Sequence, residues 1–262
     1  AGAGMGVDSG LGTFRSKDGS YTKEEYMLQA RHAMFEEDPN QAWRWHGQML
    51  ERFRAVMPHD GYAKLLEICN SVGDYFVCTS NIDGAFLKAG FPCERLFEAH
   101  GSVHVWQCTD SKCNRNHEPW PAEAINLDKG LPQCQRCGGL ARPNVALFDD
   151  GLGRNARSFN SRYIDPQRAR FATWLKQLVA RRVVVVEVGC GVSEHSLRMA
   201  RQHTGTWACM SGEWKVPWLV CPLIRVDPSE EDPEAVDSFV HVACGAKDAC
   251  TLLAERVFSS LV

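Results

Sequence analysis

An amphipathic helix that leads into a valine-rich strand constrains the fold of this chain more than any other feature. Apolar side chains recur with helical spacing over residues 167–181, and the run Val183–Val188 follows almost at once. A strand this apolar is typical of a parallel sheet covered on both faces, and Gly189, Cys190 and Gly191 come directly after it. The segment therefore predicts a helix, a buried strand and a tight turn in succession.

The rest of the chain repeats this alternation of helix and strand. Two helices are predicted within 21–57, on either side of Pro39, and another over 61–72. Further strands are predicted at 75–78, 223–226 and 238–243, and a further helix from Ser193. Trp43 and Trp45 belong to the second helix, where packing between helices explains them without any function. The pattern predicts an α/β fold with a doubly wound parallel sheet.

Composition excludes several classes of protein. The 262 residues are 44% hydrophobic and 23% charged, which is ordinary for folded domains and argues against disorder. With 29 Lys and Arg against 32 Asp and Glu, no basic surface for nucleic acid is indicated. No apolar run approaches the ~20 residues of a membrane helix. We expect an intracellular protein, most simply cytoplasmic, that binds neither nucleic acid nor membrane.

Four of the twelve cysteines have the spacing of a metal site. The two pairs are Cys108 with Cys113 and Cys134 with Cys137, and twenty residues separate them. Four thiolates around one zinc ion would support a proline-rich segment that cannot build its own core, and would leave no position open for substrate water. The spacing predicts one structural zinc ion. Two alternatives stay open: a redox role for the second pair, and replacement of one cysteine ligand by His104 or His117.

A glycine-rich turn, Gly2-Ala3-Gly4-Met5-Gly6, opens the chain. Turns of this kind normally follow a buried strand that aims them at a phosphate. We therefore expect a strand in front of the turn and a sequence that is incomplete at its N-terminus, which leaves the nucleus and the mitochondrion open as compartments. Phe14 and Arg15 follow within reach of a bound phosphate or ribose, although an ordinary surface arginine would fit equally well.

Polar residues follow the strand predicted at 75–78, at the edge of a parallel sheet where ligands bind. Asn81 and Asp83 could grip a carboxamide and a ribose, and Ile82 between them could exclude water, but Asn and Asp in loops also form turns. His100 would join this edge to the cysteine segment, where an imidazole with a pKa near neutrality could act as a base. A single histidine is also often a structural residue.

Together these motifs resemble the sirtuins in identity and order over almost the whole chain. The matching segments are Gly2-Ala3-Gly4, Ser9-Gly10-Leu11, Phe14-Arg15, Thr79, Asn81-Ile82-Asp83-Gly84, His100-Gly101-Ser102, the four cysteines, Arg142-Pro143, Gly189 and Asp227. The resemblance implies a Rossmann-like NAD-binding domain formed by residues 1–20, 59–103 and 143–262. It also implies a small lobe made of a helical insertion, residues 21–58, and a zinc-ribbon module, residues 104–142.

The resemblance further implies an NAD-dependent protein-lysine deacylase, or deacetylase, that acts on an acyl-lysine protein or peptide. In that reaction the acyl oxygen attacks the nicotinamide ribose, nicotinamide leaves, and an imidazole deprotonates a ribose hydroxyl so that the acyl group moves to ADP-ribose. The implied catalytic residues are His100, as this base, with Asn81 and Asp83. The implied NAD contacts are Gly2, Ala3, Gly4, Phe14, Arg15, Asn81, Ile82, Asp83, Gly189, Cys190, Gly191 and Asp227. Val145 and Phe148 would bind the substrate peptide.

Several positions depart from the usual sirtuin pattern. The family usually has Ser at Gly6, Pro-Asp at Gly12-Thr13, Gln at Ser80 and Gly-Glu at Asp149-Asp150. Loss of the proline should loosen the cofactor loop, and a charge at Asp149 should narrow or redirect the choice of peptide. Two other functions therefore stay open: an ADP-ribosyltransferase or NAD glycohydrolase that uses the same pocket, and a catalytically weak NAD-binding sensor module.

Overall fold

The computed structural model describes residues 1–13, 23–151, 158–178, 181–190, 199–201, 207–209, 222–228 and 239–259. Its helices are α1 (Lys23–Gln29), α2 (His32–Glu37), α3 (Pro39–Ala55), α4 (Asp60–Val72), α5 (Ala85–Lys88), α6 (Ser111–Asn116), α7 (Asp165–Gln177) and α8 (Ala246–Ser259). Its strands are β1 (Val77–Thr79), β2 (Leu96–Glu98), β3 (Gly101–Cys108), β4 (Trp120–Pro121), β5 (Ala141–Val145), β6 (Val185–Val188), β7 (Met199–Arg201), β8 (Trp207–Cys209), β9 (Leu223–Val226) and β10 (Phe239–Val242). Within these ranges, no helix is long and apolar enough to cross a membrane.

Two parallel sheets form the larger part of the fold. β1 pairs with β2, and a three-stranded sheet has the order β10-β9-β6. The four predicted strands, at 75–78, 183–188, 223–226 and 238–243, are confirmed to within two residues at each end. Glu187 interrupts the valine-rich run and is buried in an ion pair with Arg225 of β9, with 2.7 Å between Oε1 and Nε. The helix predicted from Ser193 lies outside the described residues.

The first two residues lie between these two sheets. The Ala1 amino group donates a hydrogen bond to the Cys78 carbonyl at 2.7 Å, and the Ala1 carbonyl accepts one from the Ser80 amide at 3.2 Å. On the other side, the Gly2 amide donates to the Val188 carbonyl at 2.9 Å. Ala1 is thus paired with β1 in the manner of a parallel strand. The opening residues join β1 and β6 edge to edge.

Helices cover both faces of the β1–β2 sheet. Val77 and Leu96 contribute to a core formed with α4, α5 and α8, whereas Cys78 and Phe97 contribute to a second core that includes Phe171 of α7. Adjacent residues of a strand point to opposite faces, so the two cores lie on opposite sides of this sheet. Both sets of side chains are apolar because both faces are buried. The predicted doubly wound arrangement is confirmed.

The helical insertion contains three helices, so the prediction of two is wrong in number. An additional break at Ala30 and Arg31 separates α1 from α2. Pro39 occupies the first turn of α3, where a helix needs no amide donor, and the Asp38 side chain accepts from the Gln41 amide at 2.9 Å. Pro39 therefore begins a helix at the boundary that the sequence predicts.

An antiparallel sheet in the order β4-β3-β5 packs against these helices. Trp43 and Trp45 are buried in this contact, and Trp43 Nε1 donates to the Ala141 carbonyl at 2.9 Å. Their predicted role in packing is confirmed. Apolar residues of the cysteine segment, including Ile125 and Leu127, lie against the core that α3 provides. The apolar residues of the cysteine segment show little periodicity in sequence because they pack against a core that α3 supplies, and the segment forms no separate core.

Buried amide side chains tie the antiparallel sheet to the segment that precedes α7. Gln107 of β3 accepts from the Asn144 side chain at 2.7 Å and from the Asn160 backbone amide at 2.9 Å. Gln107 also donates to the Ser158 carbonyl at 2.6 Å, and Asn114 of α6 donates to the same carbonyl at 2.8 Å. The cysteine segment, β5 and residues 158–160 are therefore held together by polar contacts inside the protein.

Candidate active site

Two glycine segments approach each other backbone to backbone at the carboxyl end of β6. The Gly4 amide donates to the Gly189 carbonyl at 2.9 Å. A Cβ on Gly4 would lie 2.7 Å from the Gly189 Cα, and a Cβ on Gly189, whose φ is +62°, would lie 2.3 Å from the Met5 nitrogen. Both positions therefore require glycine. The residues that the structure brings together here are Gly2, Ala3, Gly4, Gly189 and Cys190.

Asn81 connects this glycine turn to the end of β1. Its side-chain amide donates to the Gly2 carbonyl at 3.0 Å, and its backbone amide donates to the Thr79 hydroxyl at 3.1 Å. The Thr79 hydroxyl in turn donates to the Ala1 carbonyl at 3.0 Å. Asn81 is buried, so these bonds hold its side chain in one orientation beside the glycines.

Ile82 and Asp83 lie on the turn that leads into α5. Asp83 Oδ1 accepts from the Ala85 amide at 2.8 Å, so the carboxylate also stabilises the start of the helix. Burial raises the pKa of Asp83, and this hydrogen bond opposes the rise. The Asp83 carbonyl is bonded to His104 Nε2 at 2.8 Å, and the Ile82 carbonyl accepts from the Val103 amide at 3.1 Å. β3 therefore fixes the backbone of the turn.

His100 lies in the turn between β2 and β3 and is half-buried. The Ala99 amide donates to the Thr79 carbonyl at 2.8 Å, and the His100 carbonyl accepts from the Ala146 amide at 3.0 Å. Gly101 follows with a φ of +80°, and a Cβ there would lie 2.1 Å from a backbone oxygen of β5. The backbone around His100 is held on both sides.

Register places Asn81 and His100 at the same edge of the sheet. Thr79 of β1 is paired with Glu98 of β2, so Asn81 and His100 each follow the paired ends of adjacent strands by two residues. Because the strands are parallel, both side chains emerge at the carboxyl edge, where ligands bind in sheets of this kind.

Residues 145–148, which we call the strip, continue β5 past His100. Val145 is buried and paired with Gly101, whereas Ala146 is exposed and Phe148 is 46% exposed. The Phe148 amide donates to the Ala30 carbonyl at 3.0 Å. Since the Val145 side chain faces the core, contact between Val145 and a peptide would have to run through the main chain, as the sequence predicts.

A buried ion pair between Arg142 and Asp150 holds the backbone of the strip. Arg142 Nη2 donates to both carboxylate oxygens of Asp150, at 3.0 and 2.9 Å, and Arg142 Nη1 donates to the Val145 carbonyl at 3.2 Å. Asp150 also accepts from the Leu147 amide at 2.9 Å. Asp150, which replaces the usual sirtuin glutamate, therefore retains a carboxylate on Arg142. The neighbouring Asp149 turns its carboxylate toward the backbone of α2.

The four paired cysteines converge. Their sulfur atoms all lie within 4.8 Å of one another, with 3.5 Å between Cys108 and Cys137 and 3.8 Å between Cys113 and Cys134. Four sulfurs placed tetrahedrally at about 2.3 Å from a zinc ion would be about 3.8 Å apart, so the set fits this metal. Neither alternative histidine belongs to the cluster: His104 is bonded to Asp83, and His117 to Arg136.

Glu98 and Tyr163 are functional candidates that sequence reasoning missed. Glu98 is 2% exposed, and Tyr163 donates to its Oε2 at 2.6 Å. Burial raises the pKa of Glu98 to about 7. A glutamate directly after the apolar pair Leu96-Phe97 in a buried strand, two residues before His100, was the available signal.

Asp227 occupies the carboxyl end of β9, beside β6. Its amide donates to the Val242 carbonyl at 3.2 Å, and its carbonyl is bonded to His241 Nε2 at 3.1 Å. Three other predicted cofactor residues, Phe14, Arg15 and Gly191, lie outside the described residues. The described part of the predicted site is thus contributed by the ends of β1, β2, β6 and β9.

Comparison with known proteins decides the family. A model described as the Sir2 family matches residues 2–168. The chain belongs to the Sir2 family. The matched segment includes the glycine turn, Asn81, His100 and the cysteine quartet, so the resemblance of these motifs to the sirtuins, another name for the Sir2 family, is confirmed.

Curated Sir2 relatives are similar over part or most of the chain. The NAD-dependent protein deacylase of Aeropyrum pernix is 35% identical over 151 residues, covering 58% of this chain and 58% of the relative. The NAD-dependent protein deacylase of Aquifex aeolicus is 29% identical and is matched over 63% of its length. NAD-dependent protein deacylase 2 of Pseudomonas aeruginosa is 29% identical over 226 residues, covering 78% of this chain and 85% of the relative. The chain thus spans about three fifths of the first two relatives.

Solved Sir2 structures share the fold. A Sir2 homologue in complex with NAD superimposes with a TM-score of 0.70 at 22% identity, covering 100% of this chain and 88% of the homologue. A mutated Sir2 homologue in complex with 2'-O-acetyl ADP-ribose gives a TM-score of 0.69 at 21% identity, covering 99% of this chain and 90% of that one. The predicted Rossmann-like α/β class is therefore confirmed.

Proposed function

We propose that this Sir2-family protein is an NAD-dependent protein-lysine deacylase that transfers the acyl group to ADP-ribose and releases nicotinamide. Its substrates would meet between two domains. The larger, NAD-binding domain would comprise residues 1–20, 59–103 and 143–262, and the small lobe would comprise residues 21–58 and 104–142. We place the protein inside the cell, most simply in the cytoplasm, because a thiolate metal site is typical of a reducing compartment.

The observation that carries this proposal is the convergence of Asn81, Asp83 and His100 with the paired glycine segments. The Asn81 side chain is bonded directly to Gly2, and His100 follows the adjacent strand end in register. Gly4 and Gly189 keep side chains away from the backbone surface beside them. A dinucleotide laid along the glycines would therefore present one end to the buried amide of Asn81, the half-buried carboxyl of Asp83 and the imidazole of His100.

These residues divide the work of the proposed reaction. NAD supplies a glycosidic bond whose cleavage frees nicotinamide and lets ADP-ribose accept the acyl group. Asn81 and Asp83 would hold the carboxamide through hydrogen bonds to their side chains. Ile82, half-buried between them, would exclude water. His100 would take the proton of a ribose hydroxyl.

The cysteine quartet would hold one zinc ion in a structural role. All four ligand positions would be filled by Cys108, Cys113, Cys134 and Cys137, so no position would remain for a reacting water. The ion would hold the end of β3 and α6 against the loop before β5, and through the buried amides it would support residues 158–160.

An acylated lysine peptide is the second substrate that the strip favours. Asp150 keeps its ion pair with Arg142, and both carboxylate oxygens of Asp149 accept hydrogen bonds from α2, so neither altered residue has to obstruct the exposed residues Ala146 and Phe148. The amides of Ala146, Leu147 and Phe148 are bonded within the protein, so an extended peptide would have to pair with the strip through its carbonyl groups. These contacts support a deacylase over a transferase with another acceptor.

The test is to incubate the zinc-loaded protein with NAD and lysine peptides that carry a panel of acyl groups, and to detect acyl-ADP-ribose by mass spectrometry. We expect acyl-ADP-ribose and nicotinamide in equal amounts, and loss of both by about 10²–10⁴-fold in His100→Ala. Nicotinamide release without any peptide would instead favour the glycohydrolase or transferase. NAD binding with no release of nicotinamide would favour the sensor module.

A further inference from the structure

The Asp149 carboxylate caps a helix that is distant in sequence. Its Oδ1 accepts a hydrogen bond from the His32 amide, and its Oδ2 accepts one from the Ala33 amide at 3.0 Å, across 116 residues of sequence. These amides belong to the first turn of α2, whose preceding residue, Arg31, provides no side-chain cap. The first amides of a helix have no partner within it, so Asp149 satisfies donors that α2 itself leaves open.

The contact continues along the strip. The Phe148 amide donates to the Ala30 carbonyl at the α1–α2 break, and the following residue, Asp149, bonds to the first two residues of α2. The next residue, Asp150, is fixed by the buried guanidinium of Arg142. The strip is therefore attached to the helical insertion at Phe148, and the two residues that follow it are held by α2, through Asp149, and by Arg142 of β5, through Asp150.

The same residues border the surface that the proposed function assigns to the peptide. Phe148 is 46% exposed, and its ring meets Tyr26 of α1 edge-on, with 6.1 Å between centroids. A shift of α1 and α2 relative to the strip would change the distance across which a peptide must fit. Apolar contacts also join these elements, since Ala30, Met34 and Phe35 lie in the same buried core as Val145 and Leu147.

We infer that Asp149 is a positioning residue that latches the start of α2 to the strip and thereby sets the affinity of the enzyme for its acylated peptide. This inference rests on the proposed function. A carboxylate bonded to two amides does not face the incoming peptide as a bare charge. It acts on specificity through the separation of α2 and the strip, whereas a glycine at this position would leave the helix amides without this partner.

Two substitutions test the latch, with one matched control. Asp149→Gly removes both acceptors, and Asp149→Asn keeps one carbonyl oxygen. Asp38→Gly is the control, because Asp38 caps α3 by accepting from the Gln41 amide, a bond that does not involve the strip. Hydrogen exchange of the segment 30–37 and steady-state kinetics with a peptide that the wild type deacylates would be measured for all three variants.

We expect faster exchange at 32–34 in Asp149→Gly, with an intermediate rate in Asp149→Asn. We expect the KM for the peptide to rise about tenfold in Asp149→Gly, the effect of one lost helix cap, with kcat and the KM for NAD unchanged. Asp38→Gly should leave the peptide KM unchanged. Unaltered exchange at 32–34, or an equal rise of KM in Asp38→Gly, would overturn the latch. Wild-type protein that deacylates no peptide would refute the proposed function instead, and exchange would still decide whether Asp149 holds α2.

Discussion

The side-chain amide of Asn81 and the carbonyl of Gly2, which are 79 residues apart in sequence, are joined by a buried hydrogen bond of 3.0 Å. The bond fixes the end of β1 to the glycine turn beside β6. It also orients the Asn81 side chain through contacts within the protein. Preorganised polar groups of this kind are effective in catalytic sites because they need little rearrangement during the reaction.

Asn81→Asp should damage both stability and ligand binding. The change replaces an amide donor by a carboxylate oxygen facing the Gly2 carbonyl, which leaves a buried acceptor unsatisfied and should cost ~1–3 kcal/mol of the free energy of unfolding. Urea denaturation and NAD titration would measure the two effects. Asn126→Asp is the control, since Asn126 uses its side-chain oxygen to accept from Asp128 on the surface and aspartate retains that acceptor. Equal stability of the two variants would contradict this role of Asn81.

Cys134→Ser should release the metal. Cys134 is buried among the four sulfurs, and three remaining thiolates bind zinc more weakly than four. We expect about one zinc per wild-type chain by elemental analysis, much less than one in the variant, and a lower unfolding midpoint. Cys93→Ser provides the comparison, because Cys93 is exposed and outside the cluster. Full zinc occupancy in Cys134→Ser would exclude the four-cysteine site.

Glu98 should make stability depend on pH. Burial raises its pKa from 4.5 to about 7, so between these values the folded protein holds a proton that the unfolded chain has released. The contribution of Glu98 to the free energy of unfolding is therefore full below pH 4.5 and falls as pH rises toward 7, by up to ~3 kcal/mol.

Glu98→Gln removes this titration. Relative to the wild type, Glu98→Gln should gain stability between pH 5 and pH 8, as measured by urea denaturation at each pH. Glu67→Gln serves as the reference, because Glu67 is on the surface of α4 beside Lys64. A pH-independent difference between Glu98→Gln and wild type would show that Glu98 titrates normally.

Gly101→Ala should be far more damaging than Gly73→Ala. Both glycines have positive φ, +80° and +78°, so each substitution should cost ~1–2 kcal/mol of backbone strain. Only at Gly101 would the new Cβ meet another backbone atom, at 2.1 Å, whereas at Gly73 nothing lies within 4 Å. The difference between the urea midpoints of the two variants measures the cost of the steric clash, because both variants share the backbone strain. Gly101→Ala should also lower turnover, since it would displace His100. Matching midpoints would mean that β5 moves aside freely.

The sequence could predict the parallel core and the edge where the site lies. A valine-rich run followed by Gly189 indicates a buried strand and a turn, and parallel strands necessarily bring their carboxyl ends to one edge. That rule assigns Asn81 and Asp227 to the carboxyl ends of predicted strands, whereas His100 follows β2, a strand that the pattern did not indicate.

The remaining features depend on packing that local patterns do not encode. β3 lacks simple alternation because its residues are buried at both ends and half-buried in the middle, at His104 and Val105. The direction of the Asp149 side chain depends on where α2 lies, and the break at Ala30 has neither proline nor glycine to mark it. Glu98 resembles an ordinary charged residue until the burial of β2 is known.

The amides around Gln107 determine what can be exchanged between members of the family. A chimaera that received the cysteine module of another sirtuin would also need the donor's residues at 144 and 158–160. Without them, the Ser158 carbonyl and the Asn160 amide would lose the side-chain partners that Gln107 and Asn114 provide inside the protein. The metal-binding ribbon is therefore inherited together with a short segment that contains no cysteine.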